Sequence, residues 1–343
     1  NLPYMNNTLP VIGITMGDAA GIGAELVCKV AASGYLQERS VPVIIGQEAM
    51  LLRGMRHADV SFPYRLVNSV LEAKRSGAIA LLPFGDLDID RVEMGKTSLE
   101  NGKVQGDTLV RCIELCQQGE LDGFCFAPLN KAALKAGGYY YPSEHEMYAD
   151  IYGQREGFGE MNYVHGLWNI RVTSHIPFKE VSGQITVGNI LSAVRLGFDT
   201  LRRAGCENPR MAVAALNPHC GEDATCGREE VDIIVPAMEL AKQAGMPLEG
   251  PYAADTLFGR AFREKYDAVI TMYHDQGQIA IKLQDFMHCV TISAGLPHPI
   301  TTPAHGTAYD IAGKGTCITT PFEDAYELCC RMARGDMIQK NRG

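Results

Sequence analysis

Apolar segments of strand length alternate with amphipathic segments along most of the chain, and many of the apolar runs are rich in β-branched residues. The predicted strands lie at 11–16, 43–46, 80–83, 124–128, 170–177, 211–216, 268–272 and 290–292. Periodic segments at 24–35, 106–118, 190–204 and 228–244 predict helices. Strands that alternate with helices in this way predict an α/β fold of layered, largely parallel sheets.

Histidines and acidic residues directly follow several of these strands. His274 and Asp275 come after strand 268–272, and His175 and His219 lie near a proline or glycine at two other strand ends. In open α/β sheets, ligands bind at the carboxyl ends of strands. A single histidine there is more often structural, whereas three suit a zinc, cobalt, nickel or iron site with positions open for substrate. Asp275 and Asp255 are then candidates for orienting a ligand or transferring a proton.

Three other features allow two interpretations each. The glycine-rich turn at 17–23 is either an anion-binding turn or a tight connection between a strand and a helix. Lys131 follows strand 124–128 and could contact a substrate or simply begin the next helix. Glu144 could take part in function, or it could cap a helix and complement its dipole together with Glu146.

The composition is that of a globular protein with an ample core. The chain has 343 residues, of which 46% are apolar and 21% charged, and this length favours two domains. A net charge of −9 argues against nucleic-acid binding, and no apolar stretch reaches the roughly 18 residues of a membrane span. No signal peptide is visible and the eleven cysteines form no C-x-x-C pair, so we expect reduced thiols in a cytoplasmic protein.

A metal with open positions favours a particular type of reaction. Such a metal can acidify a bound alcohol, and it can stabilise an enolate that forms beside a carbonyl. Oxidative decarboxylation of a β-hydroxy acid needs both effects. Its hydride requires a nicotinamide, because no side chain accepts one. The pattern therefore favours a metal-dependent oxidoreductase.

Seven segments, at 14–23, 127–131, 172–175, 216–222, 254–258, 272–277 and 305–315, resemble in order the 4-hydroxythreonine-4-phosphate dehydrogenase (PdxA) family. The resemblance implies a fold like that of isocitrate and isopropylmalate dehydrogenases, with two three-layer α/β domains around a central cleft. One domain would comprise residues 5–130 with 300–343. The other, residues 131–299, would carry the metal ligands and the dimer contacts.

The resemblance also implies roles for individual residues. In a homodimer, His175 and His219 of one chain and His274 of the partner subunit would hold one divalent metal, with zinc, cobalt, nickel, manganese and magnesium as candidates. The residues implied for catalysis are Asp255, Asp275 and Lys131, and Lys282 is implied for substrate binding. Contacts to NAD or NADP are implied for Gly221, Glu222, His305, Gly306, Thr307 and Asp310.

Four positions depart from the family pattern. The family's G-H-T-E is Ser143-Glu144-His145-Glu146 here, so Glu144 and His145 replace a histidine and a threonine that bind substrate. Thr291 and Ile300 stand where the family has an asparagine and an arginine that serve a phosphate ester. Isoleucine cannot make the paired hydrogen bonds of arginine, and a carboxylate near a phosphate repels it, which together would cost several kcal/mol. We therefore expect these positions to face a substrate without a phosphate.

The leading hypothesis is thus a dehydrogenase that oxidises and decarboxylates an unphosphorylated β-hydroxy acid. A cis-dihydrodiol carboxylate, as in terephthalate dihydrodiol dehydrogenases, is an alternative substrate. Two other classes stay open, because phosphotransacetylases share the general fold and because the altered segment 143–146 would also be compatible with a non-catalytic binding protein.

Overall fold

The computed structural model describes residues 9–335. The chain divides into two compact units, the first of residues 9–153 with 297–334 and the second of residues 154–296. Each unit combines a sheet with helices, so the predicted α/β class is confirmed. The division expected from the sequence differs from this one chiefly over residues 131–153. These residues lie in the first unit, where Tyr148 packs edge-on against Phe124 and Phe126.

The strands of the described chain are β1 (Val11–Thr15), β2 (Val41–Gly46), β3 (Tyr64–Leu66), β4 (Ile79–Pro83), β5 (Gly123–Phe126), β6 (Gly159–Val164), β7 (Leu167–Arg171), β8 (Met211–Ala214), β9 (Leu248–Tyr252), β10 (Ala268–Thr271), β11 (Val290–Ala294) and β12 (Ile300–Pro303). The α-helices are α1 (Gly23–Ala32), α2 (Glu48–Ala58), α3 (Val70–Ser76), α4 (Leu99–Gln117), α5 (Lys131–Ala136), α6 (Glu144–Tyr152), α7 (Phe178–Gln184), α8 (Val187–Arg203), α9 (Val235–Gln243), α10 (Ala254–Arg263), α11 (His274–Asp285) and α12 (Thr320–Arg334).

The first unit contains a parallel sheet with the strand order β3-β4-β2-β1-β5-β12. All five residues of β1 are buried, as expected for a strand that other elements cover on both faces. The carboxyl end of β1 leads into the glycine-rich turn at 17–23, and that of β5 leads to Asn130 and Lys131. The first unit therefore brings two of the candidate segments to one edge of its sheet.

The sheet of the second unit has the order β11-β6-β7-β10-β8-β9. Its last four strands are parallel, whereas β6 is antiparallel to both β11 and β7. The β6–β7 hairpin was not predicted, because the sequence of β6 mixes polar and apolar residues and contains no apolar run. The predicted strand 170–177 is also too long. Extended structure ends at Arg171, and His175 has a left-handed backbone with φ 36°.

Four of the α-helices, α3, α4, α5 and α8, begin where a side chain accepts a hydrogen bond from an early backbone amide. Helix α4 starts at Leu99, well before the predicted 106, because the Ser98 hydroxyl accepts a hydrogen bond from the Asn101 amide at 3.2 Å. Asn101 and Gly102 are poor helix formers, which is why the sequence pattern did not include them. No helix in residues 9–335 is long and apolar enough to cross a membrane.

All eleven cysteines are free thiols, and most of them are buried. Burial raises the pKa of the Cys28 thiol to about 12, and it raises the pKa of the Cys116 thiol to about 12 as well. Thiols with such pKa values remain protonated at neutral pH and are poor nucleophiles. Most of the cysteines therefore pack as small apolar side chains, as the sequence predicted.

Candidate active site

Two of the three predicted metal ligands lie side by side in the second unit. The centroids of the His175 and His274 rings are 5.3 Å apart. His274 is the first residue of α11, directly beyond the carboxyl end of β10. Gln276 fixes this corner, since its side chain accepts a hydrogen bond from the Met272 amide at 2.8 Å and donates one to the Ala215 carbonyl at 2.7 Å. The ends of β10 and β8 are thereby tied together.

Asp275 orients the imidazole of His274. Its Oδ1 lies 2.7 Å from His274 Nδ1, and its side chain is 71% exposed. A carboxylate at Nδ1 favours the tautomer that carries a proton there, which leaves the lone pair of Nε2 for a metal. The structure thus gives Asp275 an orienting role toward His274, whereas the sequence suggested proton transfer as well.

The third predicted ligand, His219, lies in a strained loop after β8. His219 and Cys220 have φ values of 52° and 57°, and Glu222, Asp223 and Ala224 are left-handed too. Non-glycine residues rarely adopt this conformation, and clusters of them often mark functional sites. His175 shares the feature, so two of the three predicted ligands have unusual backbones.

A buried glutamate holds the His219 loop. Glu230 Oε1 accepts hydrogen bonds from the Leu216 and Asn217 amides, both at 2.8 Å, and its Oε2 accepts one from the Asn217 side chain at 3.0 Å. The same amide group lowers the pKa of Glu229, which accepts a hydrogen bond from it at 2.6 Å. Glu230 was not predicted from the sequence, because its position in a helical segment did not indicate contacts with the preceding strand end.

Replacing Glu230 with glutamine is expected to loosen this loop. The glutamine amide would face the Asn217 amide, so two donors would meet where a donor now meets an acceptor. We expect metal affinity to fall by about tenfold or more, the usual effect of losing a supporting partner. Calorimetric zinc titration of Glu230→Gln measures this, with the exposed Glu239→Gln on α9 as control. An affinity unchanged in both variants would remove Glu230 from the site.

Asp255 lies near the same loop, in the first turn of α10. Burial raises the pKa of Cys220, and the negative charges of Glu230 and Asp255 raise it further. The Cys220 thiol also donates a weak hydrogen bond to the Pro251 carbonyl at 3.6 Å, four residues before Asp255. Gly221 is buried with φ 81°, whereas Glu222 is exposed. Of these two predicted cofactor contacts, only Glu222 is exposed to solvent.

The three histidines do not form a complete metal site within one chain. We define a possible metal site as three or more histidine, cysteine, aspartate or glutamate side chains whose ligand atoms all lie within 4.8 Å of one another. Residues 9–335 contain one such group, which consists of His165, Asp285 and His288. The structure brings His175 and His274 together and leaves His219 on its separate loop. A site completed by a second subunit therefore stays a prediction.

Two predicted substrate contacts of the second unit are placed by α11 and β11. Lys282 is exposed on α11, with its ammonium group 5.6 Å from the centre of the Phe286 ring. The Thr291 hydroxyl accepts a hydrogen bond from Asn162 at 3.2 Å, and Asn162 accepts one from Gln278 at 2.8 Å. Lys282 is thus available to a ligand, while Thr291 already takes part in a polar chain.

In the first unit, Lys131 both begins a helix and meets a charge. It is the first residue of α5, whose N-cap Asn130 accepts a hydrogen bond from the Ala133 amide at 2.9 Å. Its side chain is 62% exposed, and its ammonium nitrogen lies 3.6 Å from a carboxylate oxygen of Glu144. Both residues line a cavity of about 50 Å³, next to Ser143. Lys131 can therefore both begin the helix and contact a substrate, so the two interpretations of this residue are compatible.

The other two altered positions of this unit are buried. His145 is 8% exposed on α6, and Ile300 is fully buried in β12. The expectation that Ile300 faces the substrate is corrected by the structure, since its side chain lies in the core and offers no surface to a ligand. Glu144 is consequently the altered position of the first unit with the clearest access to a ligand.

A network around Asp18, which the sequence analysis did not single out, supports Lys131. Tyr309 donates a hydrogen bond to Asp18 Oδ2 at 2.5 Å, and the Asn130 amide group donates to the Tyr309 oxygen at 3.0 Å. Burial and the Asp18 carboxylate raise the pKa of Tyr309, so its hydroxyl remains a donor. Asp18 is itself fully buried and also accepts from Asn101 at 2.5 Å. The network fixes the N-cap of α5.

The predicted cofactor loop packs on the glycine-rich turn. The Ile22 amide donates to the Thr307 carbonyl at 3.1 Å, and a Cβ at Gly21 would lie 2.9 Å from Thr307. The turn at 17–23 is thus a tight connection whose amides hold this loop. Gly306 and Asp310 are exposed, and burial lowers the pKa of His305, so that its imidazole is neutral at neutral pH. These groups remain available to a cofactor.

Residues 38–329 match the family model described as pyridoxal phosphate biosynthetic protein PdxA. The chain belongs to the PdxA family. A Pseudomonas aeruginosa member, provisionally named 4-hydroxythreonine-4-phosphate dehydrogenase 2, is 42% identical over 330 residues, which cover 95% of this chain and 98% of the relative. The resemblance stated from the motifs is therefore confirmed.

Solved structures of PdxA relatives agree with this assignment. A 4-hydroxythreonine-4-phosphate dehydrogenase from Klebsiella pneumoniae has a TM-score of 0.86 and 31% identity, covering 96% of this chain and 99% of its own. A terephthalate 1,2-cis-dihydrodiol dehydrogenase from Burkholderia xenovorans has a TM-score of 0.64 and 25% identity, covering 91% and 95%. These relatives support the assignment of this PdxA family member to the dehydrogenases.

Proposed function

We propose that this chain is a metal-dependent dehydrogenase that oxidises the hydroxyl group of a β-hydroxy acid, with NAD or NADP as the hydride acceptor and with loss of CO₂. The observation that carries the proposal is the imidazole of His274 just beyond the end of β10, whose side chain is 38% exposed and whose Nδ1 is bound to Asp275. A partly exposed imidazole that is oriented by a carboxylate is a typical part of a catalytic metal site.

The donor set fits a divalent metal of the zinc class. His175, His219 and His274 would hold it, the third from the partner subunit of a homodimer, and three neutral nitrogen donors leave room for substrate oxygens. When bound, the metal would act as a Lewis acid that lowers the pKa of the substrate hydroxyl and stabilises developing negative charge. The left-handed backbones of His175 and His219 support this assignment, because such strain persists where side chains have a function.

The remaining residues would bind, orient and move protons. Asp275 keeps the His274 ring in one tautomer, and Asp255 is an exposed carboxylate beside the His219 loop. Lys282 offers a positive charge for a substrate carboxylate. Asp255, Asp275 and Lys131 are the candidates for removing the hydroxyl proton, and Asp255 is favoured because Asp275 and Lys131 are already engaged with His274 and Glu144.

The loop after β12 would hold the nicotinamide cofactor. His305, Gly306, Thr307 and Asp310 lie on it, and its backbone is held by the turn at 17–23. A Cβ built at Gly306 meets no atom within 4 Å, so a ligand could approach the backbone closely there. The neutral His305 could pair with an uncharged part of the cofactor.

The same geometry favours a substrate without a phosphate ester. Glu144 already neutralises Lys131 at 3.6 Å, so the pair has little net attraction for a dianion. The position of the family's arginine is taken by Ile300, which is buried. The name of the Pseudomonas aeruginosa relative specifies a phosphate ester. Unphosphorylated acids should therefore be compared with a phosphate ester as substrates of this chain.

Steady-state kinetics separates the two substrate classes. With metal and NAD or NADP, we expect a higher kcat/KM for unphosphorylated β-hydroxy acids than for 4-phospho-hydroxythreonine, measured by NADH or NADPH formation. Glu144→Gln should raise kcat/KM for the phosphate ester at least about tenfold, equivalent to about 1.4 kcal/mol, because Lys131 is released. Glu146→Gln on the same helix is the control. Efficient and selective use of the phosphate ester by the unmodified chain would overturn the substrate proposal.

A further inference from the structure

Two histidines and an aspartate meet at the end of α11 opposite to His274. His165 Nε2 lies 2.8 Å from Asp285 Oδ2, and His288 Nε2 lies 3.8 Å from the same oxygen. The centroids of the two imidazole rings are 4.8 Å apart, and the rings are inclined by 41°. Three potential metal ligands from two separate segments, the β6–β7 turn and the end of α11, thus converge in the second unit.

The spacing of these atoms is close to that of a metal site. Ligand atoms of tetrahedral zinc lie about 2.0–2.2 Å from the ion and therefore about 3.3–3.6 Å from one another. The His165 contact would have to open by roughly half an ångström and the His288 contact to close by about as much. The side chains of His165, Asp285 and His288 are 44%, 32% and 37% exposed, so small rotations can provide both changes.

The local backbone supports a function for His165. His165 and Gly166 form the two-residue turn between β6 and β7, with φ values of 46° and 84°. A type I′ turn requires positive φ at both positions and favours asparagine, aspartate or glycine at the first. A histidine there is unfavourable for the turn itself, and its imidazole is directed at a carboxylate.

The carboxylate of Asp285 is oriented so that one oxygen could bind a cation. Its Oδ1 accepts a hydrogen bond from the Met287 amide at 3.2 Å, which leaves Oδ2 to face both imidazoles. Asp285 is also the last residue of α11, where the helix dipole favours positive charge.

We propose that His165, Asp285 and His288 form a second divalent-cation site, which takes zinc or a similar borderline metal. The site is distinct from the one proposed at His175, His219 and His274. Two nitrogen ligands and one oxygen ligand would leave a fourth position for water. An ion there would tie the β6–β7 turn to the end of α11, so that the site has a structural role.

Metal counting tests the proposal on the full chain. The protein is freed of metal with a chelator, mixed with excess zinc and passed through a desalting column, and zinc per chain is measured by mass spectrometry. We expect two ions in the unmodified chain, one in His165→Ala/His288→Ala and one in His274→Ala. His57→Ala, on α2 of the first unit, is the control and should keep both ions.

A second variant guards against misfolding. His165→Asn removes the imidazole but places a favoured residue in the turn, so the fold should be retained while one zinc is lost. If His165→Asn and the double variant bind as much zinc as the unmodified chain, the second site does not exist. If the variants of His165 and His288 each lose one zinc ion but His274→Ala keeps both, the catalytic site proposed above is refuted and the second site is retained.

Discussion

Replacing His274 with alanine is expected to abolish metal binding at the proposed catalytic site and to lower kcat/KM by about a thousandfold, since a Lewis acid contributes several kcal/mol to such a reaction. His274 is the first residue of α11, and its Nδ1 is bound to Asp275, which orients the imidazole. Alanine is well accepted in the first turn of α11, so the fold should be retained. We would measure the metal content and the formation of NADH that depends on the β-hydroxy acid substrate.

Two further variants serve as comparisons for His274→Ala, Asp275→Asn as an intermediate case and His57→Gln as the control. Asparagine at 275 keeps a side chain near His274 but removes the charge, so we expect metal affinity to fall by about 10–100-fold, less than for His274→Ala. His57→Gln should change neither metal content nor kcat/KM. If His274→Ala retains both its metal and its turnover, His274 does not belong to the site.

Replacing Gly102 with alanine is expected to lower the free energy of unfolding by about 2–3 kcal/mol, because the added methyl group has no space. Helices α4 and α5 cross at this glycine, and a Cβ there would lie 1.7 Å from the Ala133 carbonyl oxygen. Ala133 is two residues beyond Lys131, so α5 must shift and the contact between Lys131 and Glu144 should open. Chemical denaturation measures the stability, and KM reports on the displaced lysine.

Gly188 provides the matched control for this substitution. It lies in the first turn of α8, is exposed, and a Cβ there would meet no atom within 4 Å. Gly188→Ala should be neutral or should stabilise the protein by up to about 1 kcal/mol, since alanine is the better helix former. Equal effects of the two substitutions would show that the crossing of α4 and α5 is not tightly packed.

The strands and the ends of strands could be predicted from the sequence, because they depend on local patterns. Continuous apolar runs mark strands that are buried on both faces, as for β1 and β10, and the polar residues that follow them mark the sheet edge. This is why His274 and His219 were placed correctly at strand ends. The β6–β7 hairpin lacks such a run, and the His165 turn was therefore overlooked.

The partners of the site residues could not be predicted, because they come from contacts between distant positions. Tyr309 and Asp18 are separated by 291 residues, and no local pattern indicates their hydrogen bond. Glu230 lies only 14 residues from Leu216, yet its helical context gave no sign that it accepts the amides of the strand end. Ile300 shows the opposite error. Comparison with a family motif suggested a ligand contact there, but the fold buries this position.

The central claim is that His175, His219 and His274 bind one divalent metal on which the substrate hydroxyl is placed. Anomalous X-ray diffraction from crystals grown with zinc and a β-hydroxy acid tests it most directly. We expect a zinc peak about 2.0–2.1 Å from a nitrogen of each of the three imidazoles, with a substrate oxygen as a further ligand. Zinc peaks elsewhere in the crystal and none at these histidines would contradict the account.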